Sequence, residues 1–196
     1  MLDTSADMFD AATAHLLDNE PLAVDLGAMD DRVNRGERDV RRMVLEHLAV
    51  SPQDDLSWSL LLLSAIQDAE RSGDLSKSLA KTAALADSPR EGEHVDTLRG
   101  IRADVRKMFG QTGKAFTKGD AKAARKVMKM NAEMKARVTE LLGAIASDGT
   151  LTPNAATVLA LSARLIGRMA SHLSNVSSAV ALPFDLVRRA PQKKAA

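Results

Sequence analysis

Residues 56–83 read LSWSLLLLSAIQDAERSGDLSKSLAKTA. Leu56, Leu60, Leu63, Ile66, Leu75 and Leu79 recur at helical spacing, and the run from Trp58 to Ile66 is apolar on nearly every face. The pattern predicts one long helix whose apolar run is buried on several sides. Just beyond that run, Glu70 and Asp74 are four residues apart, on one face and one turn from each other. Neighbouring like charges on a helix are mildly destabilising unless a cation lies between them, so the pair calls for a partner.

Composition sets the outer limits. A chain of 196 residues with 45% hydrophobic side chains is long enough to bury a substantial core. Aromatic residues make up only 3%, with no Tyr and one Trp, which favours helix over sheet. The 27 basic and 26 acidic residues nearly cancel, which argues against a general nucleic-acid binder. The absence of Cys removes disulfides, thiolate metal sites and a cysteine nucleophile. The N-terminus MLDTSADMFD lacks a secretory pattern, so a cytoplasmic location is expected. The apolar run 58–66 is far short of the roughly 20 residues that span a bilayer, so any membrane contact goes through a partner.

Going along the chain, residues 4–17 form a first helix capped at Thr4 or Ser5, with Met8, Ala11, Ala12, Leu16 and Leu17 at helical spacing. Pro21 is placed in the first turn of a second helix reaching Val50, with Leu22, Leu26, Met29, Val33, Val40, Val44 and Leu48 inward. Ser51-Pro52 is read as N-cap and first helical residue of the third. The stretch 87–92 (DSPREG) is the clearest linker, dividing the chain into units 1–88 and 89–188, with residues 189–196 as a basic, solvated tail. In the second unit, helices are expected over 94–116, from about Asp120 to Ala146, and from Pro153 to about Val187. Thr152-Pro153 repeats the Ser51-Pro52 start signal 101 residues later. The expectation is an all-α chain of six helices in two tandem three-helix bundles that arose by internal duplication.

The motif helix resembles that of the PhoU family, phosphate-transport regulators, through Asp55, Leu56, Glu70, Arg71, Gly73, Asp74 and Ala80; Ser57, Ser72 and Ser78 depart from it. A second match, ARLIGRMASHLSNVSSAVALPFD, resembles the family's later motif through Arg168, His172, Asn175 and Val176. Folding the second helix against the third would bring Asp30 and Asn34 near Glu70 and Asp74, an all-oxygen set that suits a hard cation. The resemblance implies a metal ion there, iron, zinc or magnesium/manganese. The competing reading is a solvated acidic face neutralised by Arg71 and Lys77. In the second unit the paired positions are Asn131, Lys135, Gly167 and Ser171, with no carboxylate, so no metal is expected.

Other constellations carry less. His172 and Ser174 lie about 200° apart on a helix and cannot form a catalytic pair. His172 and Asn175 are expected to hydrogen-bond within the bundle, with Ser171, Ser174, Ser177, Ser178, Ala170 and Ala179 as a small-residue packing face. Residues 118–137 hold seven Lys or Arg against two acids but no aromatics to stack on bases, which reads as a solvated face. Met128, Met130 and Met134 are read as core, with an adaptable binding surface as the alternative. No glycine-rich phosphate loop is present, so phosphate has no evident site. The resemblance implies a non-enzymatic regulator of phosphate transport and phosphate-responsive signalling. Such a protein contacts a phosphate transporter component and a sensor kinase, binds no nucleic acid, and leaves a homodimer open. The alternative is a metal-binding accessory domain of a sodium-phosphate or related anion transporter. A hydrolase using Glu70 and Asp74 lacks a nucleophile and a base beside them.

Overall fold

The computed structural model describes residues 1–188. Six helices follow one another: α1 Leu2–Leu17, α2 Leu26–Val50, α3 Leu56–Ala83, α4 Glu93–Lys118, α5 Ala121–Ser147 and α6 Pro153–Ala181, then a 3₁₀ turn at Phe184–Leu186. No strand occurs among the described residues. The first three helices form one up-down unit and the last three another. The units face each other, α3 against α6 and α1 against α4, while α2 and α5 lie on the outside. One apolar core runs through both: Met8, Phe9 and Leu79 share it with Leu98, Ile101, Ile166 and Met169. The Phe9 and Phe109 rings meet across the seam with centroids 5.6 Å apart.

Polar contacts fasten the same seam. The last carbonyls of α1 have no partner in their own helix and must find donors elsewhere. The second unit supplies them: Arg90 donates to the Leu16 and His15 carbonyls at 2.7 and 2.6 Å, and Arg99 to that of Leu17 at 2.6 Å. Asp18, at the C-cap, takes Arg99 at 2.9 Å and also Arg102. Five of the six small residues of the α6 stripe are buried on its packing face, Ser171 being half-buried, and Thr112 of α4 meets Ser177 hydroxyl to hydroxyl at 3.2 Å.

Several boundaries differ from the sequence expectation. Helix α1 starts at Leu2; Ser5 is not a cap but a buried residue directed at the Ala69 carbonyl of α3, 3.5 Å away. Helix α2 starts at Leu26, because the Asp25 carboxylate accepts from the Ala28 amide and makes a better cap than anything beside Pro21; Leu22 is left exposed. Pro52 occupies a turn, in which the Asp54 amide returns to the Ser51 carbonyl. Asp55 then takes a left-handed conformation before α3 begins, which Asp tolerates through its short polar side chain. The Thr152-Pro153 signal works as read: the Thr152 hydroxyl accepts from the Ala155 amide, with Pro153 at the first turn. Helix α6 ends at Ala181, not Val187, because Pro183 forces Leu182 into an extended conformation. Between α4 and α5 the reversal uses Gly119 at φ 61°.

The largest departure concerns the apolar run. Within the run Trp58 and Leu60 are exposed, like Leu56 before it, residues 61–64 are half-buried, and only Ser59, Ala65 and Ile66 are buried. Helix α1 has 16 residues and α3 has 28, so α1 is too short by about 18 Å to cover α3 along its whole length. The C-terminal part of α2 carries Met43, Leu45 and Val50 in the open as well. Met128 and Met134 are buried, which favours the core reading for both.

Leu79 is fully buried in the shared core. Leu79→Ala is expected to cost about 3 kcal/mol and to lower the melting temperature by about 6–12 °C, measured by circular dichroism.

Candidate functional site

Asp30 of α2 is buried and faces α3 across Gly73, where a Cβ would lie 3.4 Å from Asp30 Oδ1. Its Oδ2 accepts from Asn34 at 3.0 Å and from Lys77 Nζ at 2.6 Å. The same ammonium lies 3.0 Å from Asp74 Oδ1. Arg71 lies 3.4 Å from Asp74 and 3.8 Å from Glu70. Of the four expected residues, Asp30 and Asp74 meet at Lys77, Asn34 joins through Asp30, and Glu70 lies to the side against Arg71 and Asp74. Burial pulls the Lys77 ammonium down, yet its hydrogen bonds to Asp30 and Asp74 outweigh this and hold it above its usual range. Glu70 is pushed up, first by burial and then by the Asp74 charge.

Whether a metal suits these residues is answered by the donor set as it stands. Asp30 Oδ1 is buried with no hydrogen-bond partner, as a ligand oxygen would be. Yet among the described residues no three His, Asp or Glu side chains are grouped so as to hold one ion. Lys77 already supplies the positive charge between Asp30 and Asp74. The residues as placed fit a tethered ammonium, not a free cation.

At the paired positions in the second half, Asn131 is buried and Ser171 Oγ lies 3.4 Å from its Oδ1. Gly167 lets α5 and α6 approach closely, since a Cβ there would come within 3.2 Å of Val138. Lys135 is exposed.

Sequence reasoning missed Asp68. It is one of two buried carboxylates among the described residues, and it joins the halves. Its Oδ1 accepts from Asn175 at 3.0 Å and lies 2.8 Å from His172 Nδ1, while Oδ2 accepts from Arg188 at 2.8 Å. Arg188 also donates to the Ser64 carbonyl at 2.8 Å. The expected bundle role of His172 and Asn175 thus has a definite partner. Arg188, the first residue of the stretch RRAPQKKAA, is anchored here; residues 189–196 lie outside the described part. A signal was present: Asp68 shares a helix face with Ala65, Ser72 and Leu75, a polar residue in a buried stripe. Burial raises the Asp68 carboxyl, but the His172 and Asn175 hydrogen bonds and the nearby Arg188 charge prevail and hold it below its ordinary value of 3.8. His94 Nε2 is 2.9 Å from Asp148 Oδ2.

A six-helix, two-unit bundle with a carboxylate motif on α3 and a worn copy on α6 defines the class. The PhoU domain matches the chain twice, over residues 1–83 and 98–180, and the chain belongs to the PhoU family. The crystal structure of PhoU from Pseudomonas aeruginosa superposes with a TM-score of 0.84 at 22% identity, over 91% of this chain and 89% of that one. The phosphate transport system regulatory protein PhoU from Streptococcus pneumoniae gives 0.78 at 18% identity, over 91% and 88%. No curated protein sequence matches the chain.

A carboxylate held below its ordinary value stabilises the fold fully above the unfolded value, and the contribution is lost as pH falls through the folded one. Asp18, Asp104 and Asp148 are lowered in the same sense, Asp148 to about 2. The melting temperature is therefore expected to fall as pH drops below about 4. Asp68→Ala, by leaving Asn175, His172 and Arg188 without their shared acceptor, is expected to cost about 3 kcal/mol at pH 7 and to flatten the acid limb in a melting series from pH 7 to 3.

Proposed function

We propose that this protein is a non-enzymatic regulator of phosphate transport and phosphate-responsive signalling, working on the cytoplasmic side through contact with a transporter component and a sensor kinase. The observation that carries the reading is the double PhoU match. The Streptococcus pneumoniae protein of the same fold is described as a phosphate transport system regulatory protein. No helix among the described residues is long and apolar enough to cross a membrane, which favours reaching a transporter from outside the bilayer. The exposed end of the α2–α3 hairpin supplies a contact surface: Leu45 and Val50 are 70% and 85% exposed, and Met43, Leu56 and Trp58 are exposed as well. Exposed apolar side chains at a helical tip suit contact with a partner's groove.

The carboxylate site fits a supporting role. Lys77 serves as its resident cation, and iron, zinc, magnesium or manganese would bind Asp30, Asn34, Glu70 and Asp74 only once that ammonium swings out.

Tagged protein recovered from phosphate-starved and phosphate-replete cells is expected to bring down a transporter subunit or a sensor kinase. Leu45→Glu with Val50→Glu is expected to abolish that capture with little change in melting temperature. Recovery of neither partner in either condition would overturn the reading. Separately, Lys77→Gln is expected to raise divalent-cation affinity at least about tenfold by calorimetry, and adding Glu70→Gln and Asp74→Asn to remove it.

A further inference from the structure

In the first half, motif residue Arg71 is held by carboxylates at both sides, Glu70 and Asp74. Its counterpart Arg168 has Gly167 and Ser171 at those positions, so both acids are gone. Only some of the basic side chains among the described residues are ion-paired. Arg41, Lys77, Arg99, Arg106 and Arg137 each meet a carboxylate within 4 Å. Among the described residues, Lys135, Arg164 and Arg168 meet none.

These three cations do not point away from one another. They line a single cavity of about 330 Å³ between α5 and α6, with Thr139, Gly167 and Ser171 also on its wall and no carboxylate among its lining residues. Gly167 keeps the wall open where the motif would place a glutamate. The Thr139 and Ser171 hydroxyls donate to the Lys135 and Gly167 carbonyls at 2.9 and 3.2 Å, and by rotation either is free to donate to a ligand instead. Arg168 also lines a second cavity of about 280 Å³ on its α3 side, with Lys77, Lys81 and His172. The one carboxylate there, Asp74, is already engaged by Lys77 and Arg71.

Three unpaired cations converging on a concave, hydroxyl-bearing and acid-free volume make a receptor for an oxyanion, and guanidinium forks match phosphate oxygens in geometry as well as in charge. We propose that the emptied motif site of the second half binds a phosphate-class oxyanion, held by Lys135, Arg164 and Arg168. The adjoining cavity gives a longer phosphate chain room to continue past Arg168 toward Lys81. The loss of motif carboxylates thus converts a position for a cation into one for an anion. The inference stands apart from the regulatory reading, because it concerns only the charges on α5 and α6.

The test is calorimetric titration of the full chain with orthophosphate and, separately, tripolyphosphate at low ionic strength, since an open site of this kind is screened by salt. At least one probe is expected to bind with a Kd below about 1 mM. Orthophosphate alone points to the free ion as ligand, tripolyphosphate alone to a phosphate chain, and either supports the site. Arg168→Gln and Arg164→Gln are each expected to weaken binding at least about tenfold, and Ser171→Asp, which restores a carboxylate beside Arg168, to abolish it. Lys126→Gln with Lys129→Gln removes two charges from α5 away from the cavity and is expected to change Kd less than about twofold. Circular dichroism melts confirm that each variant is folded. Binding of neither probe, or equal weakening by the Lys126 and Lys129 pair, would overturn the proposal and leave a solvated basic face.

Discussion

The Asp68 carboxylate sits inside α3, and a charge buried there is tolerated only if it is fully hydrogen-bonded. Its own unit does not supply the donors. They come from His172 and Asn175 on α6 and from Arg188 just after it. That demand, together with the apolar seam from Phe9 to Phe109, makes the second unit part of the folding of the first. The arginines that close the end of α1 repeat the logic at the opposite edge: backbone carbonyls with no partner in one unit are satisfied by Arg90 and Arg99 of the other.

On that shared frame the two motif sites have parted in charge. Both lie where an inner helix meets its outer neighbour, α3 with α2 and α6 with α5, and both use a glycine to let the helices approach. In the first, crowded carboxylates hold a lysine. In the second, Gly167, Ser171 and Lys135 leave a set of cations without partners. Substitution of a few side chains has changed what each site attracts without disturbing the packing around it, since the core beneath is built from other positions such as Ile166, Met169 and Leu173.

Much of the fold was legible because it depends on period and punctuation. Apolar spacing located six helices, and Thr152-Pro153 marked the start of α6. The small residues of α6 announced a close contact. The misread places are those decided by distant parts of the chain. Ser51-Pro52 carries the same letters as Thr152-Pro153 in function, but the following Asp54 and Asp55 favour a turn and a left-handed residue over a helical start. The run 58–66 is apolar on nearly every face, yet its start at Trp58 and Leu60 is exposed while Ala65 and Ile66 are buried, a difference that follows from the shortness of α1 and that the run itself does not encode. Of the candidate site, the proximity of Asp30 to Asp74 is legible from helix spacing, while the place of Lys77 between them is set by how α2 packs on α3 and is not. Asp68 was missed because its partners lie more than 100 residues away along the chain.

If the two units are one cooperative body closed across α3 and α6, the amides flanking Asp68 and those flanking His172 have no way to open separately. Native-state hydrogen exchange in increasing denaturant tests this directly. The account predicts that amides of residues 66–79 in α3 and 166–178 in α6 merge onto a single opening free energy equal to that of global unfolding. Loss of protection throughout one unit while the other stays protected would contradict it.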